Sequence, residues 1–494
     1  MQKINRSSAQ IAGRFLFLGI SVQILLGICW SARSFGIFPE FGDSYTWLKA
    51  AETLVCDDYM GIGYPLFLMF AKGIESISSI PYTFFVYTVQ ILIAFYAGVV
   101  FLRACGVTGK KIFLCWGSLA LLTFPCAMQS HLAVLPNSPG YSFLLLELSA
   151  VIRILRQDAV AEDGETTAPA RPLHGLFEAG IWWALSTLCV VENLYLGLVP
   201  LIVLWLIHLW QLRSRKTEKK RVGRELLLLL AMAGILFTLV PMWQTPGSYG
   251  KAENTVSAAM MRRFSWTHMR EEEEYDEFIS QVRNILKGNL SSVIQVRNAG
   301  YYAGTMESGI QKTLEDRFGK AEAQKIFREY AGYHLKTYTS DNIHQIAWDC
   351  LGYAIPTVLL QLLLDGRGYD SFSGRNVDIM MTGDPRLTEL LLKYSSWWFL
   401  SGIAVMVVSG MICGIIAMLR QKKEKTVPDR SLFWKIAGVC VITAAGMILW
   451  YTMRDAGCLD YKNGLLPGSL WLVGMILWTD RTISAGDTED NPEK

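Results

Sequence analysis

The sequence predicts an all-α polytopic membrane protein with about ten transmembrane helices, and three observations carry that expectation. Charged residues make up 18% of the 494-residue chain and hydrophobic ones 52%, whereas a soluble chain carries about 25% charged residues. Apolar runs of roughly 17–25 residues recur, the length an α-helix needs to cross a hydrocarbon core of about 30 Å. Lysine and arginine gather in alternate connecting segments, the bias that orients membrane helices.

The first apolar run, about 13–33, follows Lys3, Arg6 and Arg14. It is long and no small-residue cleavage pattern follows it, so it is expected to remain as the first membrane helix. Further runs fall at about 82–102, 112–128, 141–155, 176–191, 194–210, 225–243, 397–419, 432–451 and 464–479. A shorter apolar piece, 62–74, decides the topology. If it crossed, Arg103, Lys110 and Lys111 would stand outside. If it does not, they join Lys3, Arg6, Arg14, Arg153, Arg156, "QLRSRKTEKKRVGRE" (211–225) and "RQKKEKTVPDR" (420–430) on one side. The opposite short loops are then almost free of basic residues: 126–140 has none and 34–60 has only Lys49. The second arrangement satisfies the bias. It places both termini in the cytoplasm, as in a bacterial plasma membrane, and lays 62–74 along the outer face with Lys72 snorkelling to the interface.

Three portions follow: a transmembrane module over 1–244 with its first outer loop at 34–81, an extracytoplasmic segment over 245–395, and membrane helices with a cytoplasmic tail over 396–494. The outer segment has helical spacing of apolar residues at 271–289 and 309–338, which predicts a helical cap. Its apolar piece "IPTVLLQLLLDG" (355–366) is too short to span and reads as a surface helix. The run Glu271–Glu274 reads as a solvated helix start. Residues 157–173 are polar and loop-like. The ten cysteines show no CxxC pair and no metal-ligand spacing, and Cys29, Cys115, Cys189, Cys413 and Cys440 sit inside apolar runs. They read as small buried hydrophobes. Nothing in the sequence points to nucleic acid.

The most informative stretch is "FGDSYTWLKAAETLVCDDYMGIGYPLFL" (41–68), which sets Asp43, Glu52, Asp57 and Asp58 directly after the first span. Tyr45, Trp47, Leu48, Ala51, Leu54 and Val55 share one face of a short helix, expected to lie on the membrane with its aromatics at headgroup level. Asp43-Ser44 would cap it. Asp43 is thus open to two interpretations, a helix cap or a group that handles a proton or a metal ion at the outer surface. Glu147 stands inside a span and Glu192 at an outer turn; a buried hydrogen bond and a solvated turn are the plain explanations.

This pattern resembles the GT-C superfamily of membrane glycosyltransferases, which includes bacterial relatives of protein mannosyltransferases and aminoarabinose transferases. The matching residues are Gly42, Asp43, Ser44, Tyr45, Ala50, Ala51, Leu54, Tyr64, Pro65 and Leu66, echoed by "VVENLYLGLVPLIVLW" (190–205) and "IFREYAGYHLKTYTSDNIHQIAWDCLG" (326–352). The resemblance covers the first 245 residues well and the rest loosely. It implies juxtamembrane helices in the first outer loop and a sugar moved from a polyprenyl-phosphate donor to a glycan, lipid or protein acceptor outside the cytoplasm, with inversion. It implies that Asp43 is the catalytic base or a metal ligand, a divalent Mg or Mn ion being the metal in view. Tyr45, Asp57, Asp58, Tyr64, His131 and Glu192 are then candidates for substrate binding. The second outer loop departs from the family pattern: it carries His131 where many relatives place an acidic residue.

The chemistry suits these residue types. A carboxylate can take the acceptor hydroxyl's proton, a contribution of about 10²–10⁴ in rate. The donor phosphate needs cations, arginine above all for its bidentate fork. Arg262, Arg263, Arg367, Arg375, Arg454 and Lys462 are available outside, and the last two break the charge bias of their short loop. A transporter or flippase of lipid-linked sugars is the rival class, although no internal repeat is visible. A non-catalytic membrane scaffold is the third. A ring of Asp43, Glu192 or His131 and an outer cation around one outer cavity would favour the enzyme.

Overall fold

A computed structural model of the chain describes residues 2–34, 44–56, 60–107, 111–162, 172–212, 219–243, 319, 321, 339–355, 385–420, 430–455 and 465–487. Among these the backbone is almost wholly helical. The extended pairing is a single antiparallel bridge between Met60 and Val190. Seven helices are long and apolar enough to cross a membrane: Gln10–Arg33, Tyr82–Cys105, Asn137–Ala159, Asn193–Gln211, Arg221–Trp243, Glu389–Ser409 and Trp434–Thr452. Two shorter apolar helices, Lys111–Thr123 and Leu465–Asp480, match the predicted runs 112–128 and 464–479. The run 176–191 is helical as far as Cys189, inside Pro172–Cys189, a helix that also carries His174 and Glu178.

The chain divides into two compact units, 1–245 with 386–446 and 468–494, and 246–385 with 447–467. In the first unit the helices are α1 (Gln2–Ser34), α2 (Ser44–Thr53), α3 (Gly63–Ser78), α4 (Tyr82–Cys105), α5 (Lys111–Thr123), α6 (Pro125–His131), α7 (Asn137–Glu162), α8 (Pro172–Cys189), α9 (Asn193–Leu196), α10 (Leu198–Gln211) and α11 (Lys219–Trp243). Helix α7 is the hub, packed most extensively against α8 and α4. Its apolar window is 89% buried, against 17% for the α11 window, which marks α11 as peripheral. Of the second unit the structure describes α12 (Thr339–Ala354), where the Tyr353 and Tyr451 rings stand 6.2 Å apart and Cys350 Sγ reaches Thr452 Oγ1 at 3.5 Å. The cap helices expected at 271–289 and 309–338, and most of the surface helix expected at 355–366, lie outside the described residues. Helix α13 (Pro385–Arg420) starts twelve residues before the predicted span. It is followed by α14 (Arg430–Asp455) and α15 (Leu465–Asp487), which divide between the units.

Contacts within the first unit sort the helix ends into two sets. Trp30, near the end of α1, packs with Met128, Leu132 and Leu391. Gln90, two turns into α4, bonds the carbonyls of His131 and Ala133. The end of α1 and the start of α4 therefore lie at the same face of the bundle, and the α2–α3 pair between them returns to that face. Ser138, Gly140 and Ser186 bring the start of α7 and the end of α8 to that face as well. At the opposite face Arg153 meets Glu178 at 2.5 Å. There too the end of α7 meets the end of α10 and the start of α11 in one buried cluster. Arg221 grips Asp158 bidentately at 2.8 and 2.9 Å and reaches Glu225 at 2.9 Å. His208 Nδ1 lies 2.7 Å from Glu225, and its Nε2 stands 2.9 Å from Asp158, off the line of a hydrogen bond. Two carboxylates thus face two basic groups, an arrangement in which buried charge is tolerated.

The span 112–128 is interrupted. Phe124 is extended and Pro125 opens a new helix, because proline has no N–H to continue the ladder. Deeper in the bundle, Gln23 of α1 donates to Thr123 O at 3.0 Å and accepts from Ser395 of α13 at 2.5 Å. One amide therefore ties three helices where lipid offers no partner.

Candidate functional site

The first outer loop folds down onto the bundle. Helix α2 buries Ser44, Trp47, Leu48, Ala50 and Ala51 and leaves Tyr45 70% exposed. Trp47 meets the Tyr64 ring edge-on at 5.6 Å. This corrects the expectation of a lipid-facing aromatic stripe: the stripe exists, but α3 and the bundle cover it, and Tyr45, Leu54 and Val55 are what remains exposed. Ser44 Oγ is buried and makes no hydrogen bond, so the cap expected of Asp43-Ser44 does not come from Ser44. Lys72, expected at the lipid interface, instead bonds Glu52 at 2.8 Å and stands 5.9 Å over the Tyr82 ring. That ammonium holds the Glu52 carboxyl below its ordinary range. The pair joins α2 to α3 at the exposed rim, where such bridges contribute little.

Beneath the loop lies a buried polar chain. Tyr64 donates to Gln90 Oε1 at 2.9 Å, and Gln90 Nε2 donates to His131 O and Ala133 O, each at 3.0 Å. The His131 ring meets Ser138 Oγ at 2.7 Å through Nδ1. Burial pushes the imidazole down to about 3 and the Tyr64 phenol well above its usual value. Tyr64 and His131, both named from sequence, are thus brought together, but at 1% and 2% exposure with protein partners. They hold two outer loops in register and do not present themselves to a substrate.

The chain beyond α8 forms the floor. Gly61 lies so close to Leu188 O that any side chain there would overlap the backbone, and Met60 pairs with Val190. The half-buried Glu192, next in line before α9, therefore sits beside the first outer loop. Asn193 donates to Ser186, which donates to Gly140 O. Asp43, Asp57, Asp58 and Lys462 lie outside the described residues, and Arg454 belongs to α14. Of the candidates, Tyr45, Tyr64, His131 and Glu192 are thus gathered at one face of the first unit. Among the described residues no group of three or more histidine, cysteine or acidic side chains could hold a metal ion. Gln90 escaped the sequence reading; its signal was a lone amide in an apolar run, which seldom lacks a partner.

Fold and site together define a polytopic helical membrane protein whose α2–α3 pair is locked over the bundle. Comparison of the chain with protein-family models, with curated proteins and with solved structures finds no match.

Proposed function

We propose that the protein is a GT-C-like glycosyltransferase of the bacterial plasma membrane, which moves a sugar from a polyprenyl-phosphate donor to an acceptor at the extracytoplasmic face, with inversion. The observation that carries this reading is the non-crossing α2–α3 pair, fastened over the outer ends of α4, α7 and α8 through Tyr64, Gln90 and the Met60–Val190 bridge. In this reading a lipid-linked donor arrives laterally at the membrane surface beside this lid. In this reading ten helices cross and both termini are cytoplasmic, because Arg103, Lys111, Arg153, Arg156 and Arg221 all fall at the face opposite the lid. Asp43 is the base; Tyr45, Asp57, Asp58 and Glu192 line the acceptor side. Arg454 and Lys462 offer the donor phosphate its cations, with a divalent Mg or Mn ion as an alternative partner.

The test is Asp43→Asn. Asparagine caps a helix about as well as aspartate, so a capping role predicts normal transfer. A base predicts loss of about 10²–10⁴ in rate with protein level and melting temperature unchanged. Transfer is read by mass spectrometry of envelope glycans and in membranes supplied with lipid-linked sugar. Wild-type transfer by the variant would end the case for Asp43. A flippase is the second reading, favoured by Glu147, a buried carboxyl inside a span; movement of a lipid-linked sugar across vesicles without transfer would select it.

A further inference from the structure

Glu147 lies ten residues into α7, fully buried, and neither carboxyl oxygen has a hydrogen-bond partner. Beside it α9 passes into α10 at Gly197, whose backbone stays right-handed helical and whose N–H still reaches Asn193 O at 2.9 Å. Trp183 of α8 directs its indole N–H at the carbonyls of Asn193 and Leu194, at 3.0 and 3.2 Å. A Cβ at Gly197 would overlap the Trp183 ring and stand 2.9 Å from both Glu147 Oε2 and Asn193 O. The carboxyl and the Asn193 carbonyl therefore approach the same point. Lone pairs outnumber donors there: Asn193 O takes the Gly197 N–H and part of the indole, and Leu194 O takes the other part.

The ionisable groups on the elements packed against α7 are occupied elsewhere or distant. On α8, Glu178 pairs with Arg153. On α10, His208 belongs to the Asp158 cluster. On α4, Tyr87 is buried near the outer loop and Arg103 ends the helix. On α6, His131 bonds Ser138, and on α15 Tyr141 of α7 meets Ser469. A carboxylate in that setting, with no cation and no donor on it among the described residues, would cost several kcal/mol. A carboxylic acid needs only an acceptor, and carbonyl oxygens supply it.

We propose that Glu147 is a proton-binding site, loaded as the carboxylic acid where α7 meets Gly197 at the passage from α9 to α10. The balance is simple. The O–H bond forms from a proton taken from water, one hydrogen bond goes to a backbone carbonyl beside Gly197, and release returns the proton to water. Because the indole competes for the same carbonyls, loading and release alter how firmly Trp183 holds the Val190–Asn193 turn under the lid. The site stands whether or not the chain transfers a sugar.

The experiment uses purified full-length protein in nanodiscs. Infrared difference spectra across pH read the carbonyl stretch of protonated carboxyl groups, in wild type and in the isosteric Glu147→Gln. The expected result is one carboxylic-acid band present in wild type and lost in the variant, with the melting temperature kept in both sodium and potassium salts. An unchanged band in the variant would overturn the proposal. So would a sodium-specific stabilisation of wild type that the variant loses, since the ligand would then be a metal cation. Should Glu147→Gln fail to fold, Glu147→Asp keeps an acid on a shorter arm. The band must then move in frequency, and an unmoved band overturns the proposal equally.

Discussion

Gln90 employs its carbonyl and both amide hydrogens, and a residue so committed is expensive to replace. Gln90→Leu strips the side-chain partner from Tyr64 Oη and from His131 O, each stranded group costing about 1–3 kcal/mol, and takes one of two donors from Ala133 O, which keeps the Leu135 N–H. Tyr64→Phe removes a donor and leaves one acceptor unmet, at the low end of that range. Thermal melting in detergent should rank wild type above Tyr64→Phe and Tyr64→Phe above Gln90→Leu; equal melting would detach the lid from this network. His131 supplies the pH dependence. Its folded-state value of about 3 lies below the ordinary 6.5, so between the two the unfolded chain binds one more proton. Stability is then fully present above about pH 6.5 and falls as the pH drops, by about 1.4 kcal/mol per unit. Acidifying from pH 7 to pH 5 should therefore cost about 2 kcal/mol, and His131→Asn should flatten that slope. A slope unchanged by the substitution would assign it to another group.

At the scale of elements, periodicity found Trp47, Leu48 and Ala51 on one face of α2 but not what covers them, and it wrongly grouped the exposed Tyr45, Leu54 and Val55 with them. Spacing shows which side chains share a side of a helix; whether lipid or protein meets them is decided by residues far away, here Tyr64 and α3. The same limit hid the Lys72–Glu52 pair, formed across twenty residues, and the bonds that the Trp183 indole makes to the carbonyls of Asn193 and Leu194 from another helix. Two glycines test how the lid is seated. At Gly61 an added methyl would run into Leu188 O, and backbone cannot yield cheaply. Gly61→Ala should cost about 1–3 kcal/mol and loosen the lid toward protease. At Gly73, inside α3, nothing lies within 4 Å, and alanine should stabilise by up to about 1 kcal/mol. Equal behaviour of the two variants would mean that the lid does not rest on the α8 backbone.

The whole molecule was more legible than its site. Apolar runs located the membrane-length helices, since their length and composition follow from solvent chemistry that acts locally. Polar partners inside the bundle were not legible, because a span's lone Gln or Glu announces a partner without naming it. Sidedness is checked by labelling. With native cysteines replaced, a cysteine at Lys216 should react with an impermeant maleimide only after permeabilisation, whereas one at Tyr45 should react in intact cells. The opposite pattern would invert the protein. The Gln23 tie carries a consequence for biogenesis. Its partner Thr123 follows by 100 residues, but Ser395 follows by 372. At about 5–20 residues per second of synthesis, the first helix waits roughly 20–75 s in the bilayer with its amide oxygen unclaimed by α13. During that interval the unmet acceptor is a handle for whatever escorts nascent membrane helices, and a chain cut short before Ser395 would keep that handle on display, marked for removal.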